Sequence, residues 1–299
     1  MEGSQPDAYS LPGSSELPVR KKLIINVALA GNFSDKSANP HVPYSPEELA
    51  SDARRCFSAG ATFFHLHIRG PDGTPSWKAD LFSEAIIKIR RCCPGAVICA
   101  TTSGRVHKTF EQRSAVLELI GDAKPDFASL SLGSMNFPTE PSINSPEIIE
   151  RLAKRMAERE IRPELEVFET GMLNYASYLS RKGLIKGPAY YNLFFGLLGT
   201  MPGRFVDMVH QVSSLPQGSI WGAAGGGRFQ LPVNTAAILM GGHVRVGLED
   251  NLFMDYEKAV PATNEMLVKR IARVAGELGR PVATPKEARR ILRLDASPD

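Results

Sequence analysis

The sequence predicts an α/β fold: a (β/α)8 TIM barrel with a short flexible N-terminal arm and an extra C-terminal helix. Three observations carry that expectation. From Lys21 onward, short apolar runs alternate with longer amphipathic ones. Strict alternation of strand and helix implies a parallel sheet, because parallel strands need crossover helices. Eight such repeats occupy about 260 of the 299 residues, the size of one barrel. The GxGxxG turn of an open doubly wound sheet is missing after the first strand, where Ala30-Gly31-Asn32-Phe33 stands instead. The expected organisation is therefore an arm over residues 1–20 and a single barrel domain over 21–299.

The elements follow in order. Leu23–Leu29 reads as the first buried strand. Ser45-Pro46-Glu47-Glu48 starts a helix, with Ser as the cap, Pro in the first position and Glu in the third, and Gly60 stops it. Ala61–His67 is the second strand, Asp80–Cys93 a helix, and Ala96–Thr101 the third strand. A helix over Phe110–Gly121 precedes the strand Asp126–Leu132. Ser145-Pro146-Glu147 repeats the helix-start chemistry and opens a helix to Glu160. Pro163–Phe168 is the fifth strand, then a helix over Leu173–Lys182, and Tyr190–Phe195 is the sixth strand. A helix over Arg204–Ser213, a short strand over Ser219–Ala223 and a helix over Phe229–Met240 come next. His243–Leu248 is the eighth strand, and a long helix is expected over Glu257–Leu278. Thr284 caps a last helix over Pro285–Leu294.

Composition excludes several classes. Thirty-five basic against 32 acidic residues give a formal charge of +3, and the basic residues are scattered, so nucleic acid is not an expected partner. No apolar run reaches the roughly 18 residues of a membrane span. The start, rich in Gly, Ser and Pro, lacks the basic and apolar regions of a signal peptide and reads as a flexible arm. Cys56, Cys92, Cys93 and Cys99 form no disulfide framework and no CxxC pair, which points to a reducing cytoplasm.

In a barrel, chemistry collects at the carboxyl ends of the strands. Phe64-His65-Leu66-His67 ends the second strand, and alternation puts His65 and His67 on one side. Two imidazoles so spaced suit one metal ion, Zn²⁺ or another divalent cation. The plainer alternative is one structural histidine and one incidental one. Strand eight ends in Arg245-Val-Gly-Leu-Glu249-Asp250, with Arg245 and Glu249 on one face of an extended strand. An inward charge is costly unless paired or bound to metal, which makes Glu249 the natural third ligand. The alternative there is a solvated turn.

Other strand ends add polar groups. Thr101-Thr102-Ser103-Gly104 and Ser131-Leu132-Gly133-Ser134 offer hydroxyl and backbone N–H groups to a carboxylate or carbonyl. Glu164 and Glu166 share a face on strand five, where Glu166 is either an inward acid–base group or an exposed carboxylate. Gly225-Gly226-Gly227-Arg228 is a turn able to receive an anion or simply a tight bend. His243 opens strand eight at the barrel bottom, a structural position, while His41, His107 and His210 read as ordinary surface residues, and Cys92-Cys93 has no nearby His to make a nucleophile.

These residues together resemble the β-keto acid cleavage enzymes, whose founding activity is 3-keto-5-aminohexanoate cleavage. The resemblance spans about Lys22 to Leu294. It rests on Asn39-Pro-His-Val-Pro-Tyr-Ser-Pro-Glu-Glu48, His65-Leu-His-Ile-Arg69, Thr101-Thr-Ser-Gly104, the segments 128–137 and 164–172, and above all Gly241-Gly-His-Val-Arg-Val-Gly-Leu-Glu-Asp-Asn251. It implies a barrel with a divalent metal, Zn²⁺ or a relative, held by His65, His67 and Glu249. It implies Asp250 as general base beside Arg245, Glu166 as supporting carboxylate, and Thr101, Gly104 and Ser134 as substrate-binding positions. The implied reaction is a CoA-dependent retro-Claisen cleavage, in which a β-keto acid and acetyl-CoA yield acetoacetate and a new acyl-CoA, in a protein that is often a homo-oligomer. Some members carry an acidic residue just after the first strand, suited to an amine. Gly31-Asn32-Phe33 stands there, so a neutral or apolar side group is expected. Two rivals remain. An amidohydrolase-type metal hydrolase places HxH on strand one with further His on strands five and six, which this chain lacks; a non-catalytic metabolite-binding barrel is separable by kinetics.

Overall fold

The computed structural model describes residues 21–294 except 186 and 188. The arm expected over residues 1–20 lies outside the described residues, as do the last five positions of the expected barrel domain. Eight strands form a closed parallel barrel: β1 (Ile25–Ala28), β2 (Phe63–Leu66), β3 (Val97–Ala100), β4 (Phe127–Ser131), β5 (Arg162–Val167), β6 (Tyr190–Phe195), β7 (Ile220–Gly225) and β8 (His243–Val246). Closure is made at β1, where Asn26 lies opposite Phe63 of β2 on one side and Arg245 of β8 on the other. Strand two therefore sits one strand from strand eight, as a site shared between their ends requires.

The helices are α1 (Pro46–Ser58), α2 (Ala79–Cys92), α3 (Phe110–Ser114), α4 (Pro146–Glu158), α5 (Gly171–Arg181), α6 (Phe205–Ser213), α7 (Gln230–Leu239), α8 (Asn264–Glu277) and α9 (Pro285–Ile291). Their starts obey local chemistry. Ser45 caps α1 and Glu48 reaches back in a capping box, and Thr284 with Glu287 repeats it on α9. Two elements differ from expectation. The helix foreseen to Gly121 is α for only its first turn, then tightens into a 3-10 stretch over Ala115–Glu118 that buries Val116 and Leu117. The long helix foreseen from Glu257 begins at Asn264. Residues before it are held in a loop, where the Asp255 carboxylate accepts the N–H groups of Ala259 and Val260 and Met254 N–H donates to Val260 O. Pro261 offers no N–H, and Thr263 takes the cap.

The interior has an apolar floor and a polar upper part. Outward residues such as Phe64 and Leu66 pack under the helices, while inward Phe63, Phe127 and Tyr190 stack at centroid distances of 5.4 to 6.0 Å. Ala288 and Leu292, at the C-terminal helix, join the same cluster and plug the floor. Each such fully buried aromatic contributes roughly 1.5–3 kcal/mol. His243 is buried at this end, and its Nδ1 accepts the Ile24 N–H at 3.1 Å, the structural role expected of it. This floor closes the barrel interior at one end, and the strands' carboxyl ends open at the opposite mouth.

Candidate active site

His65 lies near the upper end of β2 and His67 just past it, two residues on, and both side chains are buried. Their other ring nitrogens are held from behind. His65 Nδ1–H donates to the Glu164 carboxylate at 3.0 Å, and His67 Nδ1–H to Asn32 Oδ1 at 3.0 Å. Both rings thus present Nε2 to the same point. Glu249 meets them there, with 3.3 Å from Oε1 to His67 Nε2 and 3.9 Å from Oε2 to His65 Nε2. The three ligand atoms lie within 4.8 Å of one another. Glu249 Oε2 is buried without a hydrogen-bond partner among the described residues. Two neutral imidazoles, a carboxylate and an orphaned oxygen fit a divalent ion.

Glu249 does not reach this point along an extended strand. β8 ends at Val246, and Gly247 turns the chain with φ +137°. A side chain at Gly247 would collide with the Ala28 carbonyl. After the turn, Glu249 N–H donates to Ala28 O and Asp250 N–H to Gly247 O. Glu249 then passes over Gly31, whose absent Cβ leaves room that a methyl would lose, at 2.7 Å from Glu249 Cγ.

Arg245 is fully buried and braces both carboxylates. Its Nε and Nη2 donate to Asp250 at 2.8 and 3.2 Å, and Nη2 lies 2.9 Å from Glu249 Oε1. Burial disfavours the charged guanidinium, yet Asp250 and Glu249 hold its pKa well above the usual range. Burial likewise opposes ionised Glu249, but the charges of His67, Arg245 and His65 pull its pKa well down. For Asp250 burial prevails and the pKa is raised, despite Arg245. Burial also raises Glu166, aided by Glu164, with Ser131 Oγ donating to it at 2.6 Å. Burial pushes Glu164 up as well, but its bond to His65 brings the net shift down.

The cavity over these groups, about 190 Å³, is lined by His67, Thr101, Ser103, Arg105, Ser131, Glu166, Arg245, Glu249 and Asp250, with Phe33, Phe137, Phe168 and Phe194 as apolar wall. Thr101 and Glu166 therefore face the cavity together with His67 and Glu249 of the candidate metal cluster. Gly104 and Ser134 do not line it. A Cβ at Gly104 would strike Arg113, whose Nε and Nη2 bond Thr102 O and Asn144 Oδ1. The Ser134 hydroxyl accepts the Asn144 N–H at 2.8 Å. Arg113 ties the loops after β3 and β4 together beside Gly104 and the Ser134–Asn144 pair, while Ser103 and Ser131 line the cavity. The roles of Asn32 (as a histidine partner), Glu164 and Arg105 were not read from sequence. Only the shared face of Glu164 and Glu166 hinted at one of them.

The fold and the cluster define a class first: a (β/α)8 barrel enzyme with a candidate divalent-metal centre and an Arg-braced carboxylate at its mouth. Within that class the chain belongs to the beta-keto acid cleavage enzyme family, whose sequence profile matches residues 22–294. It is thus a carbon–carbon bond-cleaving enzyme. It is 41% identical to the 3-keto-5-aminohexanoate cleavage enzyme of Fusobacterium nucleatum subsp. nucleatum over 275 residues, 92% of this chain and 98% of that protein. It is 37% identical to the 3-oxoadipate:acetyl-CoA acetyltransferase of Cupriavidus necator, over 91% of this chain and 94% of that one. Its barrel superposes on the solved apo structure of ObcA with a TM-score of 0.74 at 20% identity, covering 84% of this chain and 65% of ObcA, so it spans about two thirds of that longer protein. No helix among the described residues is long and apolar enough to cross a membrane.

Proposed function

We propose that the protein cleaves a β-keto acid in a CoA-dependent retro-Claisen reaction with acetyl-CoA, giving acetoacetate and a new acyl-CoA. One observation carries the reading: His65, His67 and Glu249 meet at one point, and His67, Glu249 and the Asp250 that Arg245 holds line one cavity. A divalent ion there, Zn²⁺ by its donor set of two imidazoles and a carboxylate, supplies Lewis-acid polarisation of the keto oxygen when bound. Asp250 takes the proton from the carbon between the two carbonyls, and Arg245 keeps that carboxylate aimed. The resulting carbanion attacks the acetyl thioester and expels CoA thiolate. The thiolate attacks the original keto carbon, the bond from that carbon to the methylene breaks, and Asp250 returns the proton to the acetoacetate carbanion. The Thr101 hydroxyl, which accepts the Ser103 N–H and keeps its own proton, offers a donor for the acid's carboxylate. Glu166, whose carboxylate accepts the Ser131 hydroxyl, is the supporting carboxylate of the cavity. No redox cofactor enters the balance.

An amine-bearing acid fits poorly, because Arg105 lies against Phe33 in the same cavity and a guanidinium repels an ammonium group. The free thiols of Cys56, Cys92, Cys93 and Cys99 support a reducing cytoplasm as the working compartment. Exposed Phe205, Val206 and Val209 on α6 support a homo-oligomer. The reaction is tested by following acyl-CoA and acetoacetate from acetyl-CoA and a panel of β-keto acids, alongside metal content of wild type and His67→Ala. Product formation that survives loss of metal in His67→Ala, or an Asp250→Asn enzyme of full activity, would contradict the proposal.

A further inference from the structure

Two guanidinium groups among the described residues line the cavity, and they differ in how they are used. Arg245 is engaged by Asp250 and Glu249. Arg105, in the loop after β3, forms no ion pair, and its Nε is buried without a hydrogen-bond partner among the described residues. Its guanidinium carbon lies 3.6 Å from the Phe33 ring centre and 3.7 Å from that of Phe137. One phenyl ring comes from the loop after β1 and the other from the loop after β4. The pair holds the planar cation across the mouth. A guanidinium held between two ring faces keeps its N–H donors in its own plane, where a planar carboxylate binds in a fork. Burial lowers the pKa of Arg105, with Glu140 and Glu249 acting the other way.

Arg105 is thus a held cation that forms no ion pair among the described residues, at the edge of a cavity walled in part by phenyl rings. We propose that Arg105 receives a carboxylate borne by the substrate's side group, so that the enzyme selects β-keto acids with a second acid function. This rests on the cleavage reading above and sharpens its substrate. It replaces the neutral or apolar side group that Asn32 and Phe33 suggested: Phe33 is the platform for a cation rather than the wall of a lipophilic pocket. The methylenes of such an acid lie along Phe33 and Phe137 while its far end meets the guanidinium. The acid's own reacting carboxylate has the same chemistry, and the experiment separates the two.

The test compares kcat/KM for two six-carbon acids that differ only at the end, 3-oxohexanoate with a methyl and 3-oxohexanedioate with a carboxylate, with 3-keto-5-aminohexanoate as the amine. A charge-assisted fork predicts that wild type prefers the diacid by about 10- to 100-fold. Arg105→Gln collapses that ratio, and Arg105→Lys restores part of it. An equal fall for both acids in Arg105→Gln assigns Arg105 to the carboxylate that both share and overturns the side-group proposal. A wild-type preference for the methyl or amine acid overturns it as well. Calorimetric titration of the same acids into each variant reads Arg105 without turnover. If no acid is consumed, the cleavage reading fails, while a diacid preference in binding that vanishes in Arg105→Gln still upholds this one. Thermal melts confirm that the variants fold.

Discussion

Replacing Glu164 by Gln tests how the barrel interior prepares the histidines of the proposed metal site. Glu164 is fully buried under His65, and its two oxygens accept four donors: His65 Nδ1–H at 3.0 Å, Cys99 Sγ at 3.1 Å, and the side-chain amides of Asn26 and Asn192 at 3.1 and 3.0 Å. In Glu164→Gln the remaining oxygen keeps the two Asn amides, which would otherwise face an amide nitrogen. The new amide nitrogen then faces His65 Nδ1. Two donors cannot bond each other, so His65 shifts to the Nε2–H tautomer or turns away. Either change removes the Nε2 lone pair from the point shared with His67 and Glu249. Loss of such a carboxylate partner weakens metal binding by about 10- to 100-fold, or about 1.4–2.8 kcal/mol. Competition with a chromophoric chelator measures the Zn²⁺ affinity, and ring ¹⁵N shifts of the metal-free protein report the tautomer. A Kd within two-fold of wild type, with His65 still carrying its proton on Nδ1, would show that Glu164 does not set the ligand geometry.

Two further outcomes follow from the same interior. Arg245→Met leaves the Asp250 and Glu249 carboxylates without their shared cation, and removing one partner of a buried pair costs about 3–5 kcal/mol; a urea midpoint shift worth under about 1 kcal/mol contradicts the bracing role. His243 has its pKa pushed down to about 3, by burial first and then by Arg280 and Lys21, below the unfolded value near 6.5. The unfolded chain therefore takes up that proton first, so stability is full above about pH 6.5 and falls as pH drops toward 3, by up to about 1.4 kcal/mol per unit. His243→Gln, which keeps an acceptor for the Ile24 N–H, flattens that slope between about pH 4 and 6.5 in paired urea titrations; identical slopes refute the assignment.

The barrel was legible because each repeat carries its own signals. Caps at Ser45, Ser145 and Thr284, and apolar runs between them, are local, and local chemistry decided those elements. The long helix was placed too early because its amphipathic pattern runs into a loop whose anchor, Asp255, acts through hydrogen bonds no periodicity reveals. At the site, strand alternation identified His65 and His67 as a pair. It could not identify Glu164 as the partner of His65, since 99 residues separate them and only barrel closure brings them together. The family resemblance implies Gly104 and Ser134 as substrate-binding positions. The structure spends them on Arg113 and Asn144, a network visible only once the two loops meet. Arg105 stood in plain view, but its meaning depends on Phe33 and Phe137 reaching it from other strands.

Glu249 reaches the point shared with His65 and His67 for a reason that strand alternation does not contain. Alternation along strand eight put it on the face of Arg245, yet the strand stops at Val246 and the turn at Gly247 carries Glu249 over to β1. Its place is fixed by the loop after β1, where Gly31 gives it room and Asn32, the next residue, holds the back of His67. That loop is held in turn by Arg69, whose Nη2 donates to the carbonyls of Gly31 and Ser34. One short segment thus sets both the approach of the carboxylate and the orientation of one imidazole. Phe33, following at once, carries the Arg105 platform. The residues next to β1 therefore link the proposed metal site to the proposed substrate contact. A change of side-group preference by substitution at position 33 is expected to disturb the ligand geometry less than one at position 31 or 32, because only the latter two touch Glu249 or His67.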